Sequence, residues 1–279
     1  MSSNKPLHID WIDGAKGVAI ISVFLLHSMP CLRETGWMLH IGQAVPVFLF
    51  LTAYLTSIRY ESLENYYTQK RFLNIVRRIL VPALVVLAVQ ILVCQISGHW
   101  WSWKSVIKAG GMGPGSYYVW LYLQTWLILP LVIEFVKRVP VWCSFSVSLI
   151  CAAFCEYAFV PLQHLELAEQ VYRLLPVRYL MVLYMGCVWP MLKEKQQLGF
   201  YILATISGLL MLVDVYGRGS IQEYFVPSWW EGHHWFTALY VLIPIALMQR
   251  IPYSAFLQVA GKYSWQLFLL QMLCFGFLS

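Results

Sequence analysis

Residues 79–97 run for nineteen positions, from Ile79 through Gln90 to Ser97, without one charged side chain. As a helix rising 1.5 Å per residue, such a segment matches the roughly 30 Å hydrocarbon core of a bilayer. Inside lipid the backbone must satisfy its own polar groups, which leaves helices and closed barrels as the spanning structures. The pattern recurs along the chain. Apolar segments at 13–30, 41–58, 79–97, 117–136, 141–160, 175–192, 198–216, 235–249 and 262–279 predict nine helices, the eighth short. Charged residues make up 11% of the sequence, where a soluble domain carries about 25%. The expected fold is an all-α, polytopic transmembrane helical bundle of about nine to ten spans. Gaps between segments reach only about 20 residues, so a single membrane domain over residues 1–279 is expected. Asp10 and Asp13 follow Met1-Ser2-Ser3-Asn4-Lys5 with no small-residue cleavage site, so the first span is expected to remain in the mature protein.

The cations sort by side. With the N-terminus inside, thirteen of the 19 Lys and Arg fall on the inner side and six on the outer. That predicts a cytoplasmic N-terminus. The net charge of +6 then reflects membrane topology, and no nucleic-acid partner is expected. Trp100, Trp101 and Trp103 flank one outer loop and Trp229, Trp230 and Trp235 another, as interfacial anchors or as platforms for a sugar ring. The seven cysteines lie mostly within spans without a Cys-x-x-Cys pair, and read as packing residues.

The first span carries charge where lipid would reject it. Asp13-Gly14-Ala15-Lys16 leads through an apolar run to His27. Eleven residues turn a helix about 20° past three full turns, so Lys16 and His27 share a face, roughly 16 Å apart in depth. Asp13, three residues before Lys16, can pair with it. Ionisable groups in a span cost on the order of 3 kcal/mol each in lipid and therefore face a polar interior. His27, near the outer end, is a candidate base for a hydroxyl proton, or a histidine satisfied by a neighbouring helix. Lys16, nearer the inner surface, either snorkels to headgroups or holds a phosphate-bearing donor.

Lys70-Arg71 and Arg77-Arg78 lie seven residues apart, which puts both pairs on one helical face. With Leu63, Tyr67, Ile75 and Ile79 as an apolar side, this predicts an interfacial helix ahead of the third span. Its cations suit anionic lipid or nucleotide phosphates. Gln90, Gln124, Gln266 and Gln271 are expected to hydrogen-bond between helices. Glu156 sits near an outer end. His233-His234, with Glu231 and Glu223, is read as solvated, and no metal site is expected.

Taken together, Asp13-Gly14-Ala15-Lys16-Gly17 and His27 resemble the opening of the acyltransferase type 3 family of integral membrane O-acyltransferases. That family shows an Asp, a basic residue three positions later, and a His after ten more residues. Val45-Pro46-Val47-Phe48 through Tyr54 resembles its second span, and Arg78-Ile79-Leu80-Val81-Pro82 its Arg-Ile-x-x-Pro segment. Tyr118-Val119-Trp120 with Pro130 is similar to its Trp-containing span, and Gly261-Lys262-Tyr263-Ser264 through Leu270 to its closing stretch. The chain departs at Thr52-Ala53, where Ser-Gly is usual, at Gln271, where a histidine commonly stands, and at Ile75, where a further arginine is frequent. Arg77 or Arg71 would substitute for that arginine.

This resemblance implies transfer of an acyl group, typically acetyl from acetyl-CoA or another acyl-CoA, to a hydroxyl of an extracytoplasmic carbohydrate or glycolipid. Such chemistry belongs to polysaccharide modification of a bacterial cell envelope, at the cytoplasmic (inner) membrane and among its lipids, with no metal. His27 would be the catalytic base, with Lys16 and Asp13 its motif partners, and Arg78, Arg77 and Arg71 would hold the donor. A transporter or flippase of a lipid-linked or acylated sugar, or an inactive relative, remains the alternative from the residues alone.

Overall fold

The structure, a computed structural model, describes residues 9–29, 40–98, 101–159, 171–216 and 234–275. Among these residues no strand occurs, and each of the nine apolar segments holds helix. Five helices are long and apolar enough to cross a membrane, and three shorter apolar ones accompany them. The protein is an integral membrane protein of helical architecture.

Helix α1 covers Asp10–Ser28 and α2 Ala44–Arg59. A one-turn helix, α3 (Leu63–Tyr66), is capped by Ser62, whose Oγ accepts from Asn65 N–H. Helix α4 runs unbroken from Gln69 to Ser97. Thr68 caps its start, accepting from Arg71 N–H, and Gly98 closes it in the left-handed conformation. Its 29 residues amount to roughly 43 Å, longer than the apolar layer, so one end projects beyond it. The segment expected as an interfacial helix, Gln69–Ile75, is continuous with the third span through a π turn at Val76–Leu80, and its Ile75, with Ile79, lines a cavity.

After the short α5 (Trp103–Ala109) come α6 (Tyr117–Arg138) and α7 (Val141–Phe159), both of which pack on the helix that follows. Helix α8 (Leu180–Val188) is the centre of the bundle. Every residue from Met181 to Val188 is buried, which is what a helix apolar on all sides requires. Ser57 of α2 donates to its Cys187 carbonyl at 2.7 Å. Helix α9 (Glu194–Tyr216) instead turns Ile202 and Leu209 outward, more than half exposed, as does α7 with Phe154. In a bilayer those faces meet acyl chains. Helix α10 (Leu242–Met248) is short, as expected.

The last expected segment, 262–279, holds α12 (Ser264–Phe275) among its described residues, and a further helix, α11 (Ala255–Lys262), capped by Ser254, precedes it across a break at Tyr263. The break lets α11 lie against α1 at backbone distance. A Cβ on Gly17 would sit 2.0 Å from the Leu257 carbonyl oxygen, and one on Gly261 1.6 Å from that of Asp13. Only glycine fits these positions, which accounts for Gly17 beside Lys16 and for Gly261 ahead of the break.

Three of the four glutamines join elements. Gln90 donates to the Met272 carbonyl at 2.8 Å, Gln124 to Leu174 at 2.7 Å and Gln271 to Pro114 at 3.4 Å. Gln266 is exposed.

Candidate functional site

Helices α1, α2, α4, α6 and α12 surround a cavity of about 580 Å³. Its ends differ in chemistry. At one lie Lys16 from α1, Arg59 from the end of α2, and Arg71 and Arg78 from α4. No carboxylate stands among the described residues that line it. At the other lie Val23, Val45, Phe48, Tyr118 and Phe268. Between them, Thr52 and Thr56 donate to the Phe48 and Thr52 carbonyls one turn back, at 2.8 and 2.7 Å. Their hydroxyl oxygens remain as acceptors.

The expected site residues occupy this frame as follows. Asp13 Oδ1 is 3.3 Å from Lys16 Nζ, both side chains about three-quarters buried, so the carboxylate orients the ammonium. Lys16 lines the cavity. Arg71 and Arg78 line it too, and with Asn74, Ile75 and Ile79 they follow the spacing of a single helix face. The Arg71 guanidinium rests 5.5 Å over the Tyr66 ring, which stacks on Trp126 at 5.7 Å. Arg77 is exposed and lies off that face, outside the cavity lining.

His27 stands at the opposite end of α1, half-buried, with its ring 6.3 Å from that of Phe275 at the end of α12. It does not line the cavity. The nearest lining residue on its helix is Val23, one turn back on the same face. The structure therefore brings Lys16, Arg71 and Arg78 together, and sets His27 beyond the apolar end.

Arg59 is the cavity cation that sequence reasoning left unassigned. It counted only as an inner-side charge, although its place at the end of the second span put it at the level of Arg71. Tyr66 and Trp126 were likewise missed, because their stacking joins residues sixty positions apart.

A second polar cluster lies elsewhere. His234 is buried, against the expectation of a solvated histidine, with Nδ1 2.7 Å from Glu156 Oε1. Glu156 Oε2 accepts the Trp235 backbone N–H at 2.8 Å, and His234 N–H donates to Thr237 Oγ1 at 2.8 Å. The pair fixes the approach to α10 against α7. Trp100, His233, Glu223, Glu231, Trp229 and Trp230 lie outside the described residues.

A model of the acyltransferase type 3 family, described as an acyltransferase domain, matches residues 9–279. The chain belongs to this family. No curated protein and no solved structure matches it. As a membrane acyltransferase it requires an acyl donor, an acceptor and a place where the two meet. In this acyltransferase, Lys16, the Asp13 that orients it and Arg78 belong to the segments that resemble family motifs. Of the departures from those motifs, Thr52 lines the cavity and Ala53 is buried. Ile75 lines the cavity wall, and Arg71, one turn before it on the same face, supplies a cation there. Gln271 is buried and holds the Pro114 carbonyl.

Proposed function

We propose that the protein is an O-acyltransferase that moves an acyl group, acetyl in the first instance, from acyl-CoA to a hydroxyl of an extracytoplasmic carbohydrate or glycolipid. It would act in a bacterial cytoplasmic membrane, with its N-terminus in the cytoplasm, as one domain modifying envelope polysaccharide. The observation that carries this reading is the polarity of the cavity. Four cations gather at one end, and its apolar end points along α1 toward His27. Phosphates of CoA suit the cation end, where Arg offers paired donors and Lys a point charge. The pantetheine arm is about as long as four to five extended residues, roughly 16 Å. That compares with the axial separation of Lys16 and His27, roughly 16 Å, so the arm's length suits a thioester at the depth of the imidazole.

In the reaction, neutral His27 takes the proton of the acceptor hydroxyl. The oxygen attacks the thioester carbonyl, the C–S bond breaks, and the departing CoA sulfur receives the proton from His27. The ester oxygen and the thiol balance the hydroxyl and the thioester. General-base assistance contributes about 10² to 10⁴-fold. The test is loss of thioester from radiolabelled acetyl-CoA by the reconstituted protein, supplied with membrane glycolipid. Wild type is expected to turn over, while His27→Ala binds CoA and loses turnover by at least about 10²-fold. Retained turnover in His27→Ala would remove the mechanism.

A further inference from the structure

The cavity stops one turn short of His27, and what stops it is specific. Val23 and Phe48 close it from α1 and α2, Tyr118 from α6 and Phe268 from α12. The Phe48 and Tyr118 rings lie 6.2 Å apart and those of Tyr118 and Phe268 5.4 Å, an edge-to-face contact. Val23, Tyr118 and Phe268 are all buried. Phe268 is also confined from behind. Trp265 stacks on it at 5.6 Å, and a Cβ at position 115 would lie 3.1 Å from its Cε2. Gly115, at φ +84°, leaves that ring just the room it occupies.

We propose that this constriction selects the acyl group by its cross-section. Because these rings are in contact, a thioester reaches His27 only by parting them, which a slender acyl group such as acetyl does at less cost than a branched or aromatic one. The inference rests on the donor reading of the cavity, and it assigns specificity to residues away from the cations and away from His27. An acetyl thioester is no wider than the pantetheine chain that follows it. A branched carbon or a ring next to the carbonyl is wider, and here it meets four side chains that are themselves packed. Close-packed interiors do not yield to extra volume without displacing neighbours. Discrimination by apolar walls of this kind reaches about 10- to 200-fold.

The experiment compares acetyl-CoA, isobutyryl-CoA and benzoyl-CoA in membrane vesicles carrying the full chain and their endogenous acceptors, reading kcat/KM for thioester loss. CoA binding is measured alongside. Wild type is expected to favour acetyl by about tenfold or more. Phe268→Ala widens one wall and should reduce that ratio by about fivefold or more, chiefly by raising turnover of the wider donors. Val23→Ala widens the same constriction from α1, a helix position that tolerates alanine, and should move the ratio the same way if Phe268→Ala fails to fold. Equal turnover of all three donors by wild type overturns the filter, as does an unmoved ratio in a folded variant that still binds CoA. Either result leaves the donor site standing. Absence of CoA binding by wild type would instead overturn the donor site, and the filter with it.

Discussion

Arg77 and Arg78 are neighbours in sequence, yet only Arg78 lines the cavity. Replacing each by alanine therefore separates a local role from a general basic patch. A charge-assisted hydrogen bond between arginine and phosphate is worth about 1.5–3 kcal/mol net. Arg78 is exposed at the cavity's cation end, where solvent screening favours the lower figure. Arg78→Ala should then weaken CoA binding about tenfold, the equivalent of about 1.4 kcal/mol. Arg71→Ala should act similarly. Its guanidinium also loses the contact with Tyr66, whose stack on Trp126 forms part of the wall. Arg77→Ala, a surface change, should stay within about 0.5 kcal/mol, or about twofold. Calorimetric titration of CoA into the protein in lipid nanodiscs measures all three. Repeating it at low and at physiological ionic strength should show Arg78→Ala with a shallower salt dependence than wild type. Equal losses for Arg77→Ala and Arg78→Ala would refute the assignment of the cavity face, and no loss in either would refute the phosphate site.

Other expectations concern the scaffold. Gly261→Ala sets a Cβ 1.6 Å from the Asp13 carbonyl oxygen, so α11 must move off α1. A loss of about 1–3 kcal/mol should appear as a drop in Tm, and an unchanged Tm would contradict the contact. Glu156→Ala strips the carboxylate from buried His234 and from the Trp235 N–H. It should destabilise by about 3–5 kcal/mol, with Glu156→Gln milder, both read by unfolding in detergent. Equal stability of Glu156→Ala and wild type would show that the pair does not hold α10 in place. Tyr60→Phe removes the 2.8 Å bond to Glu134 and should lower stability by about 1 kcal/mol, while Tyr60→Phe in a Glu134→Ala background should add nothing further.

The helices were legible because the solvent is lipid. A membrane helix must satisfy its backbone within itself and show apolar side chains over most of its surface, so each span announces itself as a local run such as 79–97. The same constraint made Lys16 and His27 conspicuous, and 100° per residue placed them on one face without reference to any other helix. Arg71 and Arg78 were legible for the same reason. Arg77 was not separable from them, because neighbours in a helix differ by about 100° and only the cavity shows which of the two faces it.

What required the tertiary structure is every contact that joins distant positions. Arg59 reaches the cations of α4 because α2 ends at the level where α4 begins. Glu156 meets His234 across 78 positions, with no period to betray the pairing. Helix α11 parts from the last span at Tyr263, and Gly17 and Gly261 let its backbone meet that of α1. The constriction before His27 takes one side chain from each of four helices. Hydrophobic periodicity is a property of one helix against its solvent, whereas a cavity is a property of several helices against each other. The spans and the charged face of the first are therefore written in the sequence, and the cavity's polarity and its closed end arise only when the helices pack.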